Sequence, residues 1–351
     1  MSRKRQAFYT KAELERILNL NEKEHRIFML NEIFGDLNDA LHDEDGNKIE
    51  ECRSTTHIAY AYSYYYLANY MWRYGKFYIG DGFDAIDEKI MKQILGFPKN
   101  NKSLNYLTKR NGVLVNMGYV EKVTDKPVGY IYVDTVVRDG KLKKEIDDFI
   151  MESEYPEIYG NKKASKANFP IKAYFRDEYA KEDNYYNGTF WEIENTHHID
   201  IDIFIYCMSE PELGVEGFYL YSFLKMATDK FERGFDCSYK RMARLTGLSI
   251  DEVKLQLVNL EKRNMIKNDH KPFCMDKPVD KQTKVNTYKV LNHVLFAENE
   301  REYNVIPKQR KIPADVYEVE IGWAGENHYK DGSVRDSDTS IDGQEPFETA
   351  V

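Results

Sequence analysis

The sequence predicts an α+β protein, mainly α, built from two similar units with an insertion between them and an acidic extension behind. Three observations predict it. The string Gly82-Phe83-Asp84 recurs as Gly234-Phe235-Asp236, each time after an aromatic-rich helical stretch that ends in Lys-Phe (Tyr64 to Phe77; Phe218 to Phe231). After each copy comes a short amphipathic segment with a Met and a closing Gly, Met91 to Gly96 and Met242 to Gly247. A further helical segment then runs into a strand-like stretch, Met117-Gly118-Tyr119-Val120 or Asn264-Met265-Ile266.

Helix, helix, turn, helix and β-hairpin, in that order, outline a winged helix-turn-helix. The expected architecture is therefore tandem winged helix-turn-helix modules with an inserted linker region and an acidic tail predicted to be disordered. By this reading residues 1–54 are an N-terminal helical extension and 55–137 the first module. Residues 138–203 are the insertion, 204–295 the second module and 296–351 the C-terminal extension.

Length and composition fit this scheme. A chain of 351 residues accommodates two or three domains, and 42% hydrophobic with 31% charged residues is a globular balance. No apolar run approaches the roughly 18 to 20 residues that cross a bilayer. The start, Met1-Ser2-Arg3-Lys4-Arg5-Gln6, is basic but has no apolar segment behind it, so no signal peptide is expected. Cys52, Cys207, Cys237 and Cys274 form no CxxC pair and read as buried thiols of a reducing cytoplasm.

The net charge of -9 is unevenly distributed. Pro313 to Val351 holds ten acidic and two basic residues, which leaves residues 1–312 at 49 acidic and 48 basic. Within that part Lys89 to Lys126 has eight basic against two acidic residues, and Ser238 to Lys289 twelve against six. Concentrated positive faces of this kind suit phosphate backbones.

Along the chain, apolar residues at helical spacing predict helix over 8–40, and His42 to Asn47 is a polar turn that fails as a calcium loop because Leu41 and Cys52 occupy ligand positions. Thr55 to Tyr74 reads as a core helix with partly exposed phenols, with a base-stacking platform as the sharper alternative. Asp87 to Leu95 is a short helix. Asn101 or Lys102 opens the next, with Leu104, Leu107 and Leu114 inward and Lys102, Asn105, Tyr106, Lys109 and Arg110 outward, so this segment is placed in a major groove. Lys99 and Ser103 adjoin it. Gly112 weakens this helix by roughly 1 kcal/mol relative to Ala, so an end or kink is expected there. Tyr119 to Thr124 and Tyr130 to Asp134 would form the wing, with Lys126 at its turn.

Lys141 to Glu152 looks helical, and His197 to Ile203 alternates like a half-buried strand, isoleucines on one face and His198, Asp200 and Asp202 on the other. In the second unit Glu216 to Phe231 is the first helix, Ser238 to Leu245 the second, and Gly247 the turn. Ser249-Ile250-Asp251-Glu252 matches a capping box ahead of a third helix with Val253, Leu257 and Leu260 inward. Met265 to Asp269 and Asn286 to Leu291 are the wing strands. Lys271, Lys277, Lys281 and Lys284 lie in their long connection. Lys240, Arg241, Arg244, Lys254, Lys271, Lys281 and Lys284 are the DNA-contact candidates of this unit.

Gly217 to Lys267 resembles the winged helix-turn-helix domain of phage and plasmid replication initiators, replisome organisers and related regulators. The carriers are Gly217 to Leu224, Ser238-Tyr239, Met242 to Ser249 and Leu257 to Asn264. The resemblance covers about a seventh of the chain and implies a DNA-binding fold. One departure stands out: Asp251 and Glu252 open the third helix where basic or amide residues are usual, and Leu255 and Val258 face outward, as in a protein interface.

Enzyme signatures are lacking. There is no GxxxxGK[ST] loop, no third glycine after Gly80-Asp81-Gly82, and no HExxH or GxSxG, so neither cofactor nor catalytic or metal site is expected. The expected partner is double-stranded DNA, with a homodimer or a replication or transcription protein as further partners and no membrane. Replication initiation or organisation for a phage or plasmid is the expected role. A transcriptional regulator of a mobile element, and a protein adaptor that docks through winged helices, are the alternatives.

Overall fold

A computed structural model describes residues 7–21, 26–42, 49–52, 54–80, 82, 84–136, 142–159, 166–231, 233–276 and 285–322. The N-terminal half contains α1 (Lys11–Ile17), β1 (Arg26–Leu30), α2 (Ile33–Leu41), α3 (Thr56–Arg73), α4 (Glu88–Ile94), α5 (Asn105–Thr108), α6 (Val113–Asn116) and β2 (Val120–Val123). It continues with β3 (Pro127–Val136), β4 (Leu142–Met151), α7 (Pro156–Tyr159), β5 (Ala167–Pro170), α8 (Ile171–Tyr174) and α9 (Glu178–Glu182). The other half contains β6 (Thr196–Asp200), α10 (Ile201–Ser209), α11 (Gly214–Thr228), β7 (Phe235–Asp236), α12 (Tyr239–Thr246) and α13 (Ile250–Lys262). Then follow β8 (Ile266–Asp269), β9 (Phe273–Cys274), β10 (Thr287–Val290), β11 (Lys311–Ile312) and α14 (Ala314–Gly322). The fold is α+β with small, mostly antiparallel sheets.

The order strand, nine-residue helix, long helix occurs twice, as β1-α2-α3 and β6-α10-α11. Counterparts also touch each other. β1 pairs antiparallel with β6, Arg26 opposite Asp200 and Leu30 opposite Thr196. α3 packs on α11, with Tyr62 5.4 Å from Tyr219 and Tyr66 4.9 Å from Phe218 between ring centroids. Contact between equivalent elements is what a two-fold relation produces. β2 pairs with β5 as β8 pairs with β10.

α3 is buried on every side, from His57 to Trp72. A helix covered all round favours apolar or satisfied residues at every position, and Tyr62, Tyr64 and Tyr66 meet this with a large ring and one tethered hydroxyl. Tyr62 donates to His197 Nε2 at 2.8 Å, Tyr66 to the Ile199 carbonyl at 2.9 Å, and the Tyr64 oxygen accepts from Asn168 Nδ2 at 2.6 Å. The expected partly exposed phenols are therefore buried, and no base-stacking platform exists on this helix.

Other expectations give way to long-range pairing. Ile27, Phe28 and Leu30 lie in β1 rather than in a helix, because β6 completes their backbone hydrogen bonds. Lys141 to Glu152, expected helical, contains β4, which pairs with β3 along the strand. The stretch 138–203 thus supplies β4, β5 and β6 to three separate sheets. The alternating run from His197 ends as a strand at Asp200. Ile201 to Ser209 is helical, which moves Asp202 onto α10.

The expected wing of the first unit is also rearranged: β2 pairs with β5, and β3 with β4. The Asp125-Lys126-Pro127 turn explains it. The Asp125 carboxylate accepts from the Ser153 backbone and hydroxyl at 3.1 and 2.8 Å, and Lys126 turns inward to Glu152, which anchors the chain to the end of β4.

Candidate nucleic-acid interface

α12, a tight turn and α13 form the most regular part of the candidate surface. Ser238 Oγ accepts the Arg241 N–H at 3.1 Å, and Ser249 Oγ accepts the Glu252 N–H at 3.1 Å, so each helix start has its cap. The expected capping box closes on one side only, since Glu252 instead accepts from Gln256 at 3.0 Å. Gly247 stands between them at φ +67°, and a Cβ there would lie 2.5 Å from Ile58 Cδ1. α12 leans on α2, where Asn38 Nδ2 donates to the Arg244 carbonyl at 3.2 Å.

α13 turns Val253, Leu257 and Leu260 inward. Its buried polar residues hold it at the α10–α11 junction: Asn259 and Gln256 donate to the Glu212 carbonyl at 2.8 and 3.3 Å. Buried Arg263 binds Glu210 and Glu212 at 3.0 and 2.9 Å and sits over the Tyr303 ring. Its outer face presents Asp251, Lys254 and Leu255, with Val258 half-buried. Lys240 and Arg244 are exposed on α12, Arg241 is half-buried, and the Lys254 ammonium is 5.9 Å from the Tyr239 ring centroid.

The second part of the surface is α4 to α6. No acidic residue occurs between Glu88 and Glu121. Lys89, Lys99, Lys102, Lys109 and Arg110 are exposed, and Ser103 beside them. Buried Lys92 shapes this region by donating to the Asn101 carbonyl at 2.9 Å and to Asn105 Oδ1 at 2.5 Å. Asn101 Oδ1 in turn accepts from the Ser103 backbone and hydroxyl at 2.9 and 2.7 Å.

The groove helix, expected from Asn101 or Lys102 with an end or kink at Gly112, is two one-turn helices, α5 and α6, divided at that point. Asn111 at φ 60° and Gly112, whose Cβ would meet the Tyr106 carbonyl at 2.5 Å, make the break. Lys109 and Arg110 consequently sit on the exposed loop between the two helices. Tyr106 is half-buried, its hydroxyl 3.0 Å from His57 Nδ1 and its pKa raised by burial. Asn105 is held by Lys92, so neither it nor Tyr106 is a free reader of base edges.

Lys126 is a correction to the expected contact set. It is 1% exposed, its ammonium 3.7 Å from Glu152 and 5.2 Å from the Tyr78 ring centroid. Burial lowers its pKa, and the Glu152 carboxylate opposes that shift. Such a group holds the base of the β3–β4 hairpin and cannot reach a ligand. Lys271 is half-buried and ion-paired with Asp269. Lys281 and Lys284, like the acidic tail beyond 322, lie outside the described residues.

Sequence reading passed over two cationic features. Arg263 carries no local signal, because its two carboxylate partners come from a distant turn. The exposed run Lys308, Arg310 and Lys311 had one: the chain is free of acids from Tyr303 to Ala314.

An open cleft of about 420 Å³ lies between β6, α11 and β10. In it Lys225 pairs with Asp229 at 2.8 Å, and the His293 ring lies 3.6 Å from the Asp200 carboxylate. Among the described residues no group of three or more His, Cys, Asp or Glu could hold a metal ion, and no helix is long and apolar enough to cross a membrane. Comparison of the chain with protein-family models, with curated proteins and with solved structures gives no match.

Proposed function

We propose that the chain binds duplex DNA through two winged-helix units and serves replication initiation or organisation on a phage or plasmid. The observation that carries this reading is the order α11, β7, α12, α13, β8, β10 with sheet order β7-β10-β8. Two helices across a tight glycine turn, backed by a first helix and followed by a hairpin, are the parts of a winged helix-turn-helix. α3, α4, α5–α6, β2 and β5 follow the same plan in the first unit, with the β3–β4 hairpin inserted in its wing. The run from Lys89 to Val120, which contains no acidic residue, supports phosphate contact there. A transcriptional regulator of the same elements would use the same surfaces and differ in where it binds.

The test is selection of bound fragments from the source genome and its mobile elements, with affinities measured across a salt series. One strong site beside a replication gene, with affinity falling orders of magnitude between roughly 50 and 200 mM salt, supports the initiator reading. Sites upstream of several operons move the assignment to the regulator. Absence of enrichment at every salt concentration overturns DNA binding.

One observation favours a second reading for α13. Ile250 is 41% and Leu255 47% exposed on a helix that opens with Asp251 and Glu252. An apolar, acid-led face suits a protein better than a phosphate-lined groove. In that case the first unit contacts DNA and the second docks a partner chain, and Leu255→Glu would remove the partner while DNA affinity stays.

A further inference from the structure

The C-terminal segment joins the wing of the second unit. β11 lies parallel to β9, with the Phe273 N–H donating to the Arg310 carbonyl at 2.8 Å and the Met275 N–H to the Ile312 carbonyl at 3.0 Å. Ile312 and Tyr317 pack on Cys274, which closes a small core separate from the main one. Asp276 accepts the Ala314 N–H at 3.0 Å, which caps the start of α14.

Pro307 and Pro313 bracket this strand, and proline favours an extended chain on either side. Lys308, Arg310 and Lys311 between them are exposed, with no acid from Tyr303 to Ala314. Lys271 on the β8–β9 connection is paired with Asp269, and the strand added to β9 brings Lys308, Arg310 and Lys311 to the surface within four residues.

We infer that Lys308, Arg310 and Lys311 are phosphate-contacting residues, and that the nucleic-acid wing of the second unit is a composite of β8–β10 and the C-terminal strand β11. The inference rests on the DNA-binding reading above and deepens it. A strand fixed by backbone bonds to β9 holds its cations at a set distance from the groove. A free tail would have to order three long side chains on binding, at a cost in conformational entropy.

The experiment measures binding of the full chain to a labelled random-sequence duplex between 50 and 200 mM salt. The variant is Lys308→Gln/Arg310→Gln/Lys311→Gln. Loss of three phosphate contacts makes the slope of log affinity against log salt shallower by about 2.7, so the wild-type advantage shrinks roughly 40-fold over that range. Lys308→Gln alone, outside the β11 pairing, removes about 0.9 of slope, and Lys308→Arg/Lys311→Arg keeps the wild-type slope. These single and conservative variants serve if the triple variant fails to fold. A wild-type slope in the Gln variants overturns the inference while leaving DNA binding intact. A wild-type chain without salt-dependent binding instead overturns the functional reading itself.

Discussion

His197 ties the central β1–β6 pair to α3, and its protonation should set how the fold responds to acid. The ring is 1% exposed, with Nε2 accepting from Tyr62 at 2.8 Å and Nδ1 3.0 Å from Asn31 Oδ1. With Nδ1–H given to Asn31 and Nε2 occupied by the phenol, the neutral ring is fully bonded. A second proton would displace the Tyr62 bond in a site that water does not reach. Burial, reinforced by Lys225 and His198, lowers the pKa from 6.5 to about 3.

Because the folded value is the depressed one, the unfolded chain takes up the proton first as pH falls. The contribution of His197 is complete above pH 6.5 and is lost progressively below it, by up to about 1.4 kcal/mol per pH unit. Between pH 7 and pH 5 the integrated loss is about 2 kcal/mol. The assay is urea unfolding at both values for the wild type and for His197→Gln, which cannot titrate there. The variant is less stable at pH 7, but its stability should fall by about 2 kcal/mol less than the wild type's between the two values. Carboxylates common to both proteins cancel in this comparison. Equal losses in the two proteins would refute the buried neutral imidazole.

Three further outcomes are expected. Lys109→Ala/Arg110→Ala should leave thermal stability unchanged, because both side chains are exposed, and should cost about 1–3 kcal/mol of discrimination for each base contact removed; competition between target and random duplex checks it, and unchanged discrimination would show that this loop does not read bases. Gly247→Ala places a Cβ 2.5 Å from Ile58 Cδ1 at φ +67°, so unfolding midpoints should drop by the equivalent of about 1 kcal/mol or more; an unchanged midpoint would mean that the turn tolerates L side chains. Leu255→Glu, at a side chain 47% exposed, should change stability by no more than about 0.5 kcal/mol, whereas half-buried Val258→Glu should cost more; equal large losses in denaturant titrations would place Leu255 in the core.

Sequence alone determined the pieces whose signals are local. Ser238 and Ser249 as caps, Gly247 as the turn, and Val253, Leu257 and Leu260 as the inner stripe of α13 depend on neighbours within one helical turn. The β8 and β10 strands were legible for the same reason, since their alternation and flanking turns are short-range.

Tertiary structure decided the rest. Whether Ile27 to Leu30 is helix or strand depends on β6, some 170 residues away, and β2 finds its partner in β5 beyond an inserted hairpin. A backbone donor accepts whichever partner the closed fold supplies, and no local pattern records that choice. The same holds for charge. Lys109 and Lys126 look alike in sequence, yet one lies on an exposed loop and the other is sealed against Glu152 and the rings of Phe77 and Tyr78. What covers a side chain determines whether its charge meets a ligand or holds the fold, and only the packed chain shows the cover.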